Sequence, residues 1–230
     1  MSASPPGGGV RPLVPARERP ARRRSQGLLT ELVPATVRDV LWAFALAEAQ
    51  NDERHDRCYS KGLGEVLFQR VRGGDRNSLS AGDWKTLRST VVGTRPGYLP
   101  QLFSLGLRWY SGKIETSKLG ALQTPDLNIF RPLAPSRTVE EFSATLERGA
   151  RTPGTSVGEN YRRMRGTFDY PRMLGSPVVI GERRAGPFTF VEGATRLSIL
   201  CAKARAGERV PARVTVMAGI GRLAKEWEFY

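Results

Sequence analysis

The chain has 230 residues, a formal net charge of +14 and a pI of about 10.6. That length suffices for a buried core in one or two domains. The charge favours polyanions as partners, whether nucleic acid, nucleotides or an anionic membrane surface, although an Arg-rich composition alone accounts for the same number.

Residues 1–27 hold Pro5, Pro6, Gly7, Gly8 and Gly9, then Arg17, Arg19, Arg22, Arg23 and Arg24. Such a composition cannot bury a core and predicts a disordered basic arm, either a nucleic-acid-binding arm or a solvated tail. It contains no apolar secretory core, and no stretch of the chain reaches transmembrane length. The expectation is a cytoplasmic protein with no membrane partner.

Residues 28–118 read as a helical region. A helix is predicted over 28–56, where Val33, Val37, Val40, Leu41, Phe44 and Glu48 follow helical spacing and Pro34 stands at an entry position. Its end carries His55 among charged residues, which reads as a solvated terminus. A shorter helix is predicted over 62–71, closed by Gly73 and Gly74. Ser80 and Asp83 resemble a capping box that opens a helix through Val92. Another helix is predicted over 100–110, with Leu102, Phe103, Leu105, Leu107 and Trp109 as core. Cys58 and Cys201 form no C-x-x-C pair, so neither a disulfide framework nor a zinc site is expected.

Residues 119–230 read as a mixed α/β domain. A short strand is predicted over 127–130, and Thr138 with Glu141 forms a capping box for a helix bearing Val139, Phe142 and Leu146. Residues 148–172 read as an irregular basic insertion. There Arg162, Arg163 and Arg165 lie near Tyr161 and Phe168, a combination that suits a nucleic-acid backbone and a stacked base. A basic loop with packed aromatics explains the same letters. Strands are predicted over 177–180 and 187–191, a helix over 197–206 with Gly207 as its C-terminal cap, and a half-buried strand over 210–216. A short helix with Trp227, Phe229 and Tyr230 should dock on its own domain.

Between the second of these strands and its helix lie Glu192, Gly193, Ala194, Thr195 and Arg196. Glycine lets the backbone approach a ligand, and amides at a helix N-terminus attract phosphate. Thr195 adds a hydroxyl, Arg196 a bidentate fork, and Glu192 a group able to take a proton or help hold a metal. On spacing alone, a strand-to-helix turn with an exposed Arg is the simpler account.

The order strand, charged hairpin, strand, Glu192-Gly193, two residues, Arg196, apolar helix, Gly207, Val210-Pro211, strand resembles the ParB/sulfiredoxin-like superfamily. Residues 126–146 resemble the opening of the same domain. The resemblance covers less than half of the chain. It implies an α+β protein: an N-terminal helical unit followed by a ParB-like α/β domain with a small mixed sheet. It also implies that Ser136 and Arg137 face the phosphate turn. Two positions depart from the family. Ala194 stands where sulfiredoxin carries its reactive Cys and where ParB proteins carry a Glu, and Thr195 stands where many members have His.

The function this resemblance implies is nucleotide binding, with ATP or CTP phosphates held at Gly193, Thr195 and Arg196, Mg²⁺ assisting, and phosphoryl transfer or nucleotide hydrolysis with Glu192 as the base. Two alternatives stay open. One is a DNA- or RNA-binding protein or nuclease that holds backbone phosphate at the same turn. The other is a non-catalytic interaction module.

Overall fold

The computed structural model describes residues 27–49, 58–149, 157–168, 170 and 175–230. Residues 1–26 of the predicted arm over 1–27, His55, and Pro153, Gly154 and Arg172 of the insertion lie outside the described residues.

Strand β1 spans Leu29–Ala35 and helix α1 spans Val37–Ala49, where the sequence reading expects one helix. Thr36 divides them. Its backbone N–H donates to Asp39 Oδ2 at 2.5 Å, and Asp39 N–H donates to Thr36 Oγ1 at 3.3 Å. This reciprocal cap lies downstream of Pro34, so Pro34 belongs to the strand. A proline is accommodated in β1 because that strand is an edge of the sheet.

The predicted helix over 62–71 is two helices, α2 over Cys58–Leu63 and α3 over Glu65–Arg72. Gly64 separates them at φ 71°. Helix α4, Ala81–Gly93, carries the predicted capping box, with Ser80 and Asp83 bonding each other's backbone N–H. The expected helix over 100–110 stops early. Helix α5 covers Leu99–Ser104, Gly106 turns the chain at φ 60°, and strand β2 runs over Arg108–Glu115.

Beyond β2 a 3₁₀ turn covers Thr116–Ala121. The short strand predicted over 127–130 is a turn: Phe130 N–H donates to Leu127 O at 2.9 Å, and Arg131 N–H to the same oxygen at 3.1 Å. Asp126 and Asn128 suit a turn better than a strand. Helix α6, Val139–Glu147, starts at Thr138, whose hydroxyl accepts from Glu141 N–H at 3.2 Å. The Glu141 carboxylate takes Ser136 instead of closing the predicted box. Helix α7, Val157–Thr167, lies inside the stretch expected to be irregular. Strands β3 (Val178–Gly181) and β4 (Thr189–Glu192), helix α8 (Ala194–Arg205) and strand β5 (Arg213–Ile220) follow in the expected order. The tail is a 3₁₀ turn over Arg222–Glu226.

The strands form one five-stranded mixed sheet in the order β1-β2-β5-β3-β4. Only β3 and β5 run parallel; the other neighbours are antiparallel. The protein is therefore a mixed helix-and-sheet fold. Two of the five strands come from the region read as helical, so the sheet draws on both sides of residue 118.

Alternation along the strands sends side chains to two cores. Trp109, Val178, Ile180, Val191 and Met217 join the core built with α1 to α5. Ile114, Val179, Phe190, Val214, Val216 and Ala218 face the core built with α6 and α8. Phe130 meets Phe142 and Phe190 edge to face, with ring centres 5.2 and 5.3 Å apart. The tail docks across the sheet: Trp227 is buried, and its ring centre lies 4.7 Å from that of Tyr98.

Candidate functional site

Strand β4 ends at Glu192 and α8 begins at Ala194, so Gly193 alone reverses the chain, at φ 98°. A Cβ on Gly193 would lie 2.8 Å from Pro177 Cβ. The glycine is thus required by the turn and by the close approach of Pro177.

Arg196, one turn into α8, reaches back across this turn. Its Nη2 donates to Glu192 Oε2 and its Nη1 to the Gly175 carbonyl. Glu192 also accepts from the Gly193 N–H. An anion met by a helix-terminal amide and a guanidinium is the arrangement the sequence predicts here. The anion, however, is the chain's own carboxylate. The pair is deeply placed, with side-chain exposures of 7% for Arg196 and 13% for Glu192. Burial pushes the Glu192 carboxyl above its ordinary range, against the pull of Arg196.

Behind this pair stands a second one that sequence reasoning did not single out. Arg95, just after α4, donates to Glu48 near the end of α1, and both act electrostatically on Glu192. The Tyr98 hydroxyl donates to Val191 O at 2.6 Å, and Tyr59 Oη lies 3.0 Å from Thr94 Oγ1. Burial raises the pKa of both phenols. A signal for Glu48 was present in the sequence: it occupies a position of the apolar stripe of α1, where an unpaired carboxylate is not tolerated. Arg95 carries no such signal, because its partner is distant in the chain.

On its other side Arg196 lines a cavity of about 330 Å³. Ser176, Pro177, Leu200, Thr215 and Tyr170 complete the wall. The Tyr170 hydroxyl accepts from Thr215 N–H at 3.2 Å, which closes one side. Thr195 is half-buried beside Arg196.

Ser136 and Arg137 are not brought to this turn. Arg137 donates through Nε and Nη2 to Thr124 O at 3.3 and 3.1 Å. Its neighbour Gln123 pairs beside Thr189, at the start of β4, whereas Gly193 follows its end. Ser136 is taken up by Glu141, which it meets through its N–H at 2.7 Å and through its hydroxyl. Ser136 therefore serves the start of α6, and Arg137 ties the loop before it to Thr124.

The three arginines of α7 divide. Arg162 and Arg163 are exposed. Arg165 donates to Glu147 at 2.9 Å and also to Glu208, which accepts from Lys203 at 2.9 Å as well. This network ties α7 to α6 and to the end of α8. Hydrogen bonds from Arg165 and Lys203 bring Glu208 down to a pKa of about 2. A depressed carboxylate pKa stabilises the fold above the ordinary range, and that contribution is lost as pH falls through the folded value. In a carboxyl NMR titration Glu208 should titrate at about 2, and Arg165→Gln should return it toward about 4.3. An ordinary midpoint in the unaltered protein would mean that α7 is not tethered at this point.

Divalent-ion chemistry at the turn would need carboxylate oxygens to spare. Glu192 is bound by Arg196 and Glu48 by Arg95, and the described residues contain no group of three or more His, Cys, Asp or Glu side chains able to hold a metal. Both carboxylates nearest the turn are engaged by arginine partners. Among the described residues no helix is long and apolar enough to cross a membrane.

No family model, no curated protein and no solved structure matches this chain.

Proposed function

We propose that the protein binds a phosphate-bearing ligand of the nucleotide class in the cavity beside Arg196. The observation that carries this reading is a buried guanidinium, fixed by Glu192 and the Gly175 carbonyl, in the wall of a cavity of about 330 Å³. That volume lies at the small end of ligand pockets. Ser176 and Thr215 supply hydroxyls, Leu200 an apolar wall and Tyr170 an aromatic ring for a sugar or base. The strong positive charge of the chain assists capture of an anion. Glu192 acts as the positioning partner of Arg196 and not as a base, so the proposal is binding, with no chemical step assigned. Mg²⁺ that accompanies a nucleotide would be carried on its phosphates.

A thermal-shift panel of ribonucleotides and inorganic phosphate, with and without Mg²⁺, tests the proposal. A ligand that binds only the folded state at 100 times its Kd stabilises it by about 2.7 kcal/mol. A rise in Tm that disappears in Ser176→Glu, which places a negative charge in the cavity wall, is the expected result. A panel silent at millimolar concentration, or a rise unchanged in Ser176→Glu, would overturn it.

A further inference from the structure

A second cationic site lies on the α1–α5 side of the sheet, and none of its residues lines the cavity beside Arg196. On α4, Trp84 and Arg88 are one turn apart and share a side of the helix. Arg38 from α1 and Arg76 from the α3–α4 turn stand over the Trp84 ring, their guanidinium carbons 5.7 and 5.6 Å from its centre. Trp42 packs against the same ring with centres 6.0 Å apart, so the indole is held in place from the core side. Trp84 is half-buried, while Arg38, Lys85 and Arg88 are exposed.

The nearby carboxylates are largely committed. Asp39 bonds Thr36 and Arg76, and Asp83 bonds Ser80 and Arg70. Asp75 is the remaining exposed acid of the α3–α4 turn. Positive charge therefore dominates a surface built around a fixed aromatic ring.

We propose that the Arg38–Trp84–Arg88 face binds single-stranded nucleic acid. Arg38 and Arg88 meet backbone phosphates, and the planes of Trp84 and its guanidinium neighbours receive a base. Unstacked bases can reach such planes, whereas bases inside a duplex cannot. Arg76 is a positioning residue, held by Asp39 so that the stack on Trp84 is preformed.

Fluorescence anisotropy of the full chain with a labelled oligothymidylate, a duplex of equal length and a salt series tests this. The variant R38Q/R88Q replaces two exposed side chains and leaves the Asp39 and Asp83 bonds untouched. It should bind the single strand about tenfold more weakly. Its log–log salt slope should be smaller by about 1.4, or about 0.7 for each single-strand phosphate that is no longer neutralised. The α7 variant R162Q/R163Q should stay within about twofold of the unaltered chain. Quenching of tryptophan fluorescence by the oligonucleotide should disappear in W84F, a variant that changes no charge. The proposal is overturned if the full chain does not bind the oligonucleotide at low salt or binds the duplex more tightly. It is equally overturned if R38Q/R88Q binds within about twofold, if R162Q/R163Q is weakened as much, or if the quench survives in W84F.

Discussion

Arg196→Ala should lower folding stability by about 3–5 kcal/mol, the usual loss when one partner of a buried ion pair is removed. The Glu192 carboxylate would keep the Gly193 N–H but lose its guanidinium, and Gly175 O would lose its donor. Arg196→Lys retains the charge without the planar fork that reaches both acceptors, so an intermediate loss is expected. Glu192→Leu combined with Arg196→Met removes both charges and should be milder than Arg196→Ala alone. The pH dependence follows from the raised Glu192 pKa. A carboxyl that is easier to protonate folded than unfolded favours the fold below its unfolded value, and that advantage is lost as pH rises through the folded one. Without Arg196 the carboxyl rises further, so the deficit should shrink as pH falls through the raised folded values of Glu192 and level off once the carboxyl is protonated in both folded proteins. Urea denaturation of the variants between acid and neutral pH measures all of this. A stability of Arg196→Ala within 1 kcal/mol of the unaltered protein, or a deficit independent of pH, would show that Glu192 does not depend on Arg196.

Much of the second half of the fold was legible because its signals are local. The apolar run of Val178, Val179 and Ile180, the glycine turn at Gly193 and the cap glycine Gly207 each fix one element without reference to distant residues. The Ser80–Asp83 box is of the same kind. The first half was misread where a tertiary partner decides the outcome. Residues 29–35 and 108–115 carry enough apolar residues for either period, and they become strands because they pair with each other and with β5. The site shows the same division. A strand, a glycine, a helix and an Arg within reach of a Glu could be read from spacing. Nothing local shows that the Glu would fill the anion position itself, because that depends on how deeply Pro177, Gly175 and the end of α1 cover the turn. A carboxylate left open to water there would compete poorly with an external phosphate; a buried one competes well.

Gly193→Ala separates a glycine kept for a ligand from one kept for the fold, and it should destabilise the protein by about 2–6 kcal/mol. Two terms add. A side chain at φ 98° is strained by about 1–3 kcal/mol. The new Cβ would also stand 2.8 Å from Pro177 Cβ and 3.2 Å from its Cα and Cγ. Relieving that overlap costs about 1–3 kcal/mol more. Pro177 cannot give way freely, since its ring has no rotamers and its carbonyl accepts from Met217 N–H of β5 at 2.8 Å. Gly207→Ala is the control. Gly207 also has positive φ, at 69°, but an added Cβ there meets nothing within 4 Å. Only the conformational strain remains, about 1 kcal/mol. Urea denaturation of the two variants side by side isolates the packing term at Pro177. If Gly193→Ala were no more harmful than Gly207→Ala, the close approach of Pro177 would not be what requires glycine, and an open turn free to receive a phosphate on its amides would become the better description of residues 193–196.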